Sequence, residues 1–128
     1  MVKKRRRRGY HRGDYVSTKS GETFSYRSGW EEKYMVWLDG REEVLSWRHE
    51  PFTIGYISNI RSGKTRKYHP DFIVEYGDRT ELIEIKPSKK VGQRLVQKKV
   101  AAAEDWCLSH GVSFRIITEI ELKELGLL

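Results

Sequence analysis

Four residues of this chain have the types and spacing that phosphate chemistry requires. Asp71 stands at the start of an apolar run, and Glu84, Ile85 and Lys86 follow a predicted hairpin. Side chains alternate between the faces of a strand, so Glu84 and Lys86 point one way while Ile83 and Ile85 point the other. If Asp71 lies beside them on the neighbouring strand, two carboxylates and an ammonium converge at one edge of a sheet.

Such a set suits a divalent cation with hard oxygen ligands. Carboxylates and backbone carbonyls are typical ligands of Mg²⁺ and Mn²⁺. The spacing therefore predicts a metal site made of Asp71, Glu84 and the carbonyl of Ile85, with Lys86 orienting the attacking water or stabilising charge on the phosphate. Of the four histidines, only His69 stands near this set in the sequence. A hairpin with solvated surface charges is the alternative interpretation.

The elements that must position these residues follow from hydrophobic periodicity and turn residues. A short strand is expected at Thr23–Tyr26, and Val44, Leu45 and Trp47 are read as leading into the first strand of the core. The remaining predicted elements are a helix at 28–38, strands at 51–60, 66–76 and 81–87, a helix at 93–110, a strand at 112–118 and a helical turn at 119–125.

Length and composition predict one domain over residues 13–128. No apolar run approaches the roughly 20 residues of a membrane span, and no apolar segment follows the basic N-terminus as in a secretory signal. The single cysteine, Cys107, falls on an apolar helical pattern, which predicts a buried thiol and suits a reducing cytoplasm. We therefore expect the protein in the cytoplasm.

The net charge of +7 belongs to the first residues of the chain. Residues 1–12 hold seven of the 25 Lys and Arg and no acid, and the other 18 basic residues equal the 18 acids in number. Such a run repels itself, so we expect a disordered arm that binds nucleic-acid phosphates. A solubilising tail, a contact with anionic lipid or a localisation signal is the alternative.

The site residues also resemble a known signature. Pro70-Asp71 followed by Glu84-Ile85-Lys86 resembles the PD-(D/E)xK nuclease motif, and the predicted order of elements matches the core of that superfamily. More closely, Ser28-Gly29-Trp30-Glu31, Glu50-Pro51, Tyr68-His69-Pro70-Asp71-Phe72 and Glu84-Ile85-Lys86-Pro87 are similar to TnsA-type transposon-end endonucleases and related small phage endonucleases.

The resemblance implies a fold, an activity and a cofactor. The implied fold is an α/β, restriction-endonuclease-like core of order α-β-β-β-α-β, with a mixed four-stranded sheet flanked by helices. The implied activity is a Mg²⁺- or Mn²⁺-dependent DNA endonuclease of phage or mobile-element origin. The implied location is the host-cell cytoplasm, with association with a virion as a further expectation. In the family an acidic residue of the first helix joins the metal site, which assigns that role to Glu31, with Glu32 as the alternative. A glutamate of a capping box would instead bond back to the backbone of Ser28.

DNA is the partner that the resemblance implies, and the basic residues are candidates for its phosphates. A solvated helix face is the alternative for those that follow the site. The predicted nucleic-acid-binding residues are Lys3, Lys4, Arg5, Arg6, Arg7, Arg8, Arg66, Lys67, Lys89, Lys90, Arg94 and Lys98, and Arg61 and Lys64 complete a basic cluster at the first predicted strand turn.

Three other functions stay open at this point. A DNA-binding module could keep the fold without catalysis, a virion assembly protein could use the arm on packaged DNA, and a Holliday-junction resolvase would need a dimer. A second copy of this chain, or a phage or transposase protein, is the corresponding protein partner.

Overall fold

The computed structural model describes residues 12–128, which fall in two compact units. One unit ends at Glu42 and the other runs from Glu43 to Leu128. The predicted basic arm lies outside the described residues except for Arg12. No helix within residues 12–128 is long and apolar enough to cross a membrane.

The first unit is a hairpin followed by a helix. Strands β1 (Gly13–Val16) and β2 (Thr23–Tyr26) pair antiparallel, and helix α1 spans Gly29–Asp39. The hydroxyl of Ser28 accepts the amide of Glu31 at 3.2 Å, which satisfies a donor of the first helical turn. The predicted strand at 23–26 and the predicted helix at 28–38 are confirmed, whereas β1 was not predicted.

The second unit contains a sheet, a hairpin and three helices. Its elements in chain order are β3 (Val44–His49), β4 (Ile54–Asn59), β5 (Lys64–Tyr68), β6 (Phe72–Tyr76), β7 (Thr80–Ile85), α2 (Ser88–Val91), α3 (Arg94–His110), β8 (Ser113–Ile117) and α4 (Glu119–Glu124).

The four-stranded sheet has the order β3-β6-β7-β8. The pairs β3–β6 and β6–β7 are antiparallel, whereas β7 and β8 are parallel and joined through α3. Four successive residues of β7, Glu81 to Glu84, are buried, as expected for a strand with neighbours on both sides. The predicted α/β class with a mixed four-stranded sheet is confirmed.

Strands β4 and β5 form a separate antiparallel hairpin, whose base packs on α3 and the sheet. The residues buried at this contact form a cluster that is apolar apart from the hydroxyls of its tyrosines and the thiol of Cys107. Its buried members are Ile54, Tyr56, Tyr68, Leu82, Ala103 and Cys107. Burial raises the pKa of the Cys107 thiol to about 11, with a further contribution from Glu104, so the prediction of a buried thiol is confirmed.

Helix α3 ends where its sequence predicts. Gly111 adopts φ +67, in the left-handed region that glycine enters without steric cost, and the amide of Val112 closes the helix end on the carbonyl of Cys107 at 3.0 Å. The predicted helix at 93–110, strand at 112–118 and closing helical turn are confirmed within a residue or two.

One strand prediction was wrong in its extent, and another was right in position but wrong in its place in the fold. The predicted strand at 66–76 is two strands, because Pro70 has no N–H to continue the ladder and the chain leaves β5 before β6 begins. The predicted strand at 51–60 belongs to the hairpin, and β3 takes its place in the sheet. A register shift between Val44 and Ser46 interrupts the alternation of β3, which hid this strand from the periodicity. The short helix α2 was not predicted.

With the two hairpins, β1–β2 and β4–β5, and the two short helices α2 and α4 set aside, the chain order is α1-β3-β6-β7-α3-β8. The predicted order α-β-β-β-α-β is therefore confirmed, with β3 as its first strand.

Candidate active site

Asp71 lies at the point where β6 begins beside the end of β7. Phe72 pairs with Ile83, so the register places Asp71 across from Glu84. The Oδ2 atom of Asp71 accepts the amide of Ile85 at 2.8 Å, and this bond holds the carboxylate against the peptide that links Glu84 to Ile85. The site therefore lies at the ends of two central strands and not on an edge strand.

Glu84 is a buried carboxylate with a different partner on each oxygen. The hydroxyl of Tyr68 donates to Oε1 at 2.6 Å, and Nζ of Lys86 lies 3.5 Å from Oε2. Burial raises the pKa of Glu84, while the hydrogen bond from Tyr68 and the charge of Lys86 act in the opposite direction. The carboxylate is thus costly to ionise, and a cation at this position would lower that cost.

Tyr68 is the last residue of β5 and joins the hairpin to the site. Its side chain is buried, and burial together with the Glu84 carboxylate raises its pKa. The hydroxyl therefore keeps its proton at neutral pH and acts as a donor to Glu84.

Lys86 leaves β7 on the same side as Glu84, as the alternation predicted. Its amide donates to the carbonyl of Ile117 at 3.0 Å, which continues the pairing of β7 with β8 by one residue. The side chain is 24% exposed. A half-buried ammonium beside a buried carboxylate can reach a phosphate at the surface without leaving its partner.

Lys99, on α3, also acts on the site. Its positive charge favours the ionised form of Glu84, although the side chain follows Tyr68 and Lys86 in the size of its effect. Helix α3 thus contributes a cation to a site whose other members come from strands.

Glu50 holds the main chain of Asp71 from the end of β3. Its amide donates to the carbonyl of Asp71 at 2.8 Å, and its φ of +46 is the only positive φ among non-glycine residues of the described chain. Such a backbone costs on the order of 1–3 kcal/mol unless its surroundings hold it. His49 lies 3.7 Å from the Glu50 carboxylate and packs on Phe72, so His49, and not only His69, lies beside the site.

Glu31 and Glu32 lie in the first unit, on the first turn of α1. One oxygen of Glu31 accepts the amide of Arg27 at 3.2 Å, while its own amide bonds to Ser28. The glutamate therefore closes the helix start, as the capping alternative anticipated, although on Arg27. Glu32 bonds to the hydroxyl of Tyr26. A metal role for Glu31 or Glu32 stays a prediction.

The predicted basic residues of the second unit occupy three elements. Arg66 and Lys67 are exposed on β5, and Lys89 and Lys90 are exposed on α2. Arg94 is exposed at the start of α3, whereas Nζ of Lys98 donates to the carbonyl of Ser58 at 2.6 Å. Lys98 thus fastens α3 to the hairpin in this structure. Residues Lys3 to Arg8 lie outside the described part of the chain.

A divalent cation fits the donors that the site offers. Two carboxylates and the carbonyl of Ile85 are hard oxygen ligands, and Mg²⁺ commonly binds through one or two carboxylates together with water and substrate phosphate. Among residues 12–128 no three His, Cys, Asp or Glu side chains gather as a metal cluster. Asp71 and Glu84 would therefore leave several coordination positions to water and substrate.

Sequence reasoning assigned no role at the metal site to three residues that act on it in the structure: Tyr68, Lys99 and Glu50. Two of them were visible in the motifs, since Tyr68 and Glu50 stand in segments that resemble the family. Lys99 gave no signal beyond its charge, because its approach to Glu84 depends on how α3 packs against the sheet.

Comparison with known proteins gives two matches. A family model described as the TnsA-like endonuclease N terminal matches residues 41–119, a span that includes Asp71, Glu84 and Lys86 but not Glu31. The head completion nuclease of Enterobacteria phage T4 is 31% identical over 125 aligned residues, which cover 80% of this chain and 83% of that protein.

Proposed function

This chain belongs to the TnsA-like endonuclease N-terminal family, and we propose that it is a metal-dependent endonuclease that hydrolyses phosphodiester bonds in DNA. The observation that carries the proposal is the arrangement around Glu84. A buried carboxylate, a second carboxylate on the next strand and an ammonium meet at the ends of β6 and β7.

In this proposal Asp71, Glu84 and the carbonyl of Ile85 hold Mg²⁺ or Mn²⁺. When bound, the cation would lower the pKa of a water molecule and neutralise charge that develops on the scissile phosphate. The donor chemistry supports this role, since all three groups offer oxygen. Glu31, or Glu32 in its place, would add a carboxylate from the first unit, as the family resemblance implies.

We propose that Lys86 positions the attacking water. An ammonium has three N–H donors, of which one faces Glu84, so two are left for the attacking water and a phosphate oxygen. A positive charge placed where negative charge develops stabilises the transition state more than the ground state.

The basic residues support DNA as the substrate. Exposed cations on β5, α2 and the start of α3 follow or precede the site directly in the chain, and the N-terminal arm adds a run of like charge. Contacts of this kind bind phosphates without reading sequence and weaken steeply with salt.

For the biological setting we propose a phage protein, with a role in completing the head. Support comes from the T4 head completion nuclease, whose length is matched over 83%. A protein of this role would act on DNA in the host cytoplasm or at the virion. A second copy or another phage protein as a partner stays a prediction.

The test is cleavage of supercoiled plasmid in Mg²⁺, Mn²⁺ or EDTA by the wild-type protein and the variants Asp71→Asn and Lys86→Ala. We expect nicked or linear plasmid in Mg²⁺ or Mn²⁺ alone, and a rate at least about 100-fold lower in both variants. Matched controls are Asp78→Asn and Lys123→Ala, which remove the same groups from exposed positions of the same unit.

Two results would contradict the proposal. Cleavage that persists in Asp71→Asn and Lys86→Ala would place the activity elsewhere or in a contaminant. Binding of plasmid without cleavage under any metal would favour a DNA-binding or assembly protein.

A further inference from the structure

The β4–β5 hairpin extends from the site and belongs to no larger sheet among the described residues. At its base Ile54, Tyr56 and Tyr68 are buried, and Tyr68 contacts Glu84. Every residue from Asn59 to Lys67 is exposed. The hairpin therefore has one end fixed at the candidate active site and one end in solvent.

The hairpin carries a concentrated positive charge. Residues 51–70 contain four Lys and Arg and no Asp or Glu, although acids and bases balance over residues 13–128 as a whole. The four cations are Arg61, Lys64, Arg66 and Lys67, and all are exposed. Such a surface favours a polyanion over an acidic or neutral partner.

The tip presents a large apolar side chain among these cations. Ile60 is 84% exposed and stands between Asn59 and Arg61. The amides of Arg61 and Ser62 both donate to Oδ1 of Asn59, at 3.0 and 3.3 Å, and Gly63 takes φ +69 to close the turn. The turn is thus organised by its own hydrogen bonds, and Ile60 is exposed beside it.

We propose that the hairpin tip reads DNA deformation, with Ile60 inserting between base steps while Arg61 and Lys64 contact the flanking phosphates. Apolar side chains flanked by basic residues unstack and kink duplexes in this way. The inference rests on the proposed function for the identity of the polymer. It adds a substrate class: DNA that kinks easily or already carries an unpaired base beside the cleavage point.

The length of the hairpin sets the distance from the wedge to the cut. Ile54 pairs with Tyr68 at the base of the hairpin, and Ile60 lies six residues further along, about 20 Å at 3.4 Å per residue. Because successive bases along one strand are about 3.4 Å apart, a hairpin that lies along the duplex would place the unstacked step roughly six base pairs from the cleaved phosphate.

A protein partner is the rival occupant. An open groove of about 580 Å³ lies between the hairpin and α3, with Ile57, Ala102 and Trp106 among its lining residues and Ile60 at its border. Its mostly apolar lining would suit a second copy of this chain, whereas the four cations of the hairpin favour DNA. The oligomeric state of the Ile60 variants separates the two.

The experiment measures base unstacking without cleavage. Wild-type protein in EDTA is bound to a duplex with 2-aminopurine beside a single-base bulge, and to the same duplex without the bulge. We expect 2-aminopurine fluorescence to rise on binding. Ile60→Ser should abolish the rise and weaken binding to the bulged duplex at least about tenfold, whereas Ile60→Met, which keeps an apolar wedge, should retain both.

Leu108→Ser is the matched control, since Leu108 is an equally exposed apolar residue at 85% but belongs to α3 and not to the hairpin. This variant should bind and unstack as wild type. Lys64→Ala should weaken binding to both duplexes alike, because a phosphate contact carries no information on the step.

Three outcomes decide the inference. Equal fluorescence and affinity for Ile60→Ser and wild type would overturn it, and so would a change of sedimentation in Ile60→Ser without a change in unstacking, which would assign the groove to a second copy. Loss of unstacking in Ile60→Ser supports it even where no metal yields cleavage, a result that would instead contradict the nuclease proposal.

Discussion

The hydroxyl of Tyr68 lies 2.6 Å from Oε1 of Glu84, 16 residues further along the chain. Together with Lys86 on Oε2, it gives each oxygen of this carboxylate its own partner and fixes the plane of the group. The bond also fastens the hairpin to the sheet at the point where a cation would bind. Groups that orient a ligating carboxylate commonly change metal affinity by 10- to 100-fold when removed.

Tyr68→Phe should therefore weaken metal binding by about 10-fold or more, because Glu84 loses the donor that holds its plane. The measurement is a calorimetric titration with Mn²⁺, and plasmid cleavage at increasing Mg²⁺ is the second readout. High Mg²⁺ should restore much of the cleavage rate if the loss lies in affinity.

Tyr56→Phe is the control for that titration. Tyr56 is a buried tyrosine on the other strand of the hairpin, and the hydrogen-bond partners of Glu84 are Tyr68 and Lys86. Equal Mn²⁺ affinities in Tyr68→Phe and Tyr56→Phe would show that the hydroxyl does not position Glu84.

Glu84→Gln should lose cleavage yet keep its stability in metal-free buffer. Burial raises the pKa of Glu84, so the charged form destabilises the folded state at neutral pH, and this contribution disappears as pH falls through the raised pKa. We expect the free energy of unfolding of Glu84→Gln at pH 7 to equal that of wild type or to exceed it by up to about 1 kcal/mol.

Thermal unfolding checks this expectation. Mg²⁺ should raise the melting temperature of wild type but not of Glu84→Gln, because binding stabilises only the form that binds. Glu75→Gln, an exposed change on β6, should respond to Mg²⁺ as wild type does. A melting temperature for metal-free Glu84→Gln well below that of wild type would mean that the carboxylate stabilises the fold.

The sequence placed Asp71, Glu84 and Lys86 together because two simple rules cover them. A hairpin brings the start of β6 to the end of β7, and strand alternation sets Lys86 on the side of Glu84. Both rules act over 16 residues and need no knowledge of the rest of the fold. The grouping of these three residues could thus be predicted, and their roles remain for experiment.

The sequence did not predict that Tyr68 lies at the site, and the reason is physical. In one continuous strand, residues three apart face opposite sides, so Tyr68 and Asp71 would point away from each other. The break at Pro70 separates β5 from β6 and lets both side chains reach the end of β7. Strand β3 was missed because its register shift destroys the alternation on which strand prediction depends.

Glu50 tests whether a strained backbone serves the site. In Glu50→Gly and Glu50→Ala the carboxylate is lost, but only glycine relieves the positive φ. We expect Glu50→Gly to be more stable than Glu50→Ala by about 1 kcal/mol in urea unfolding. The amide that holds Asp71 survives in both, so Glu50→Gly should retain cleavage within about threefold of wild type.

Loss of cleavage in both Glu50 variants to the same degree would assign the function to the carboxylate and not to the backbone. Equal stability of the two variants would show that the turn imposes no strain.

Lys99 should shift the pH at which cleavage is lost. Its charge favours the carboxylate form of Glu84, so Lys99→Gln should raise the pKa of Glu84 further. Cleavage requires the carboxylate and falls as pH decreases through that pKa, and the acid limb of the pH–rate profile should therefore move to higher pH. We expect a displacement of a few tenths of a pH unit to about one unit, larger at low salt.

Lys98→Gln provides the neighbouring control, because Lys98 bonds to the carbonyl of Ser58 and not to the site. Its acid limb should coincide with that of wild type. If Lys99→Gln lowers the rate equally at every pH, the lysine acts on DNA binding and not on Glu84. If the acid limb moves as expected, Lys99 of helix α3 lowers the pKa of Glu84. The sequence of α3 does not indicate this contact, so the packing of α3 on the sheet contributes to the activity of the site.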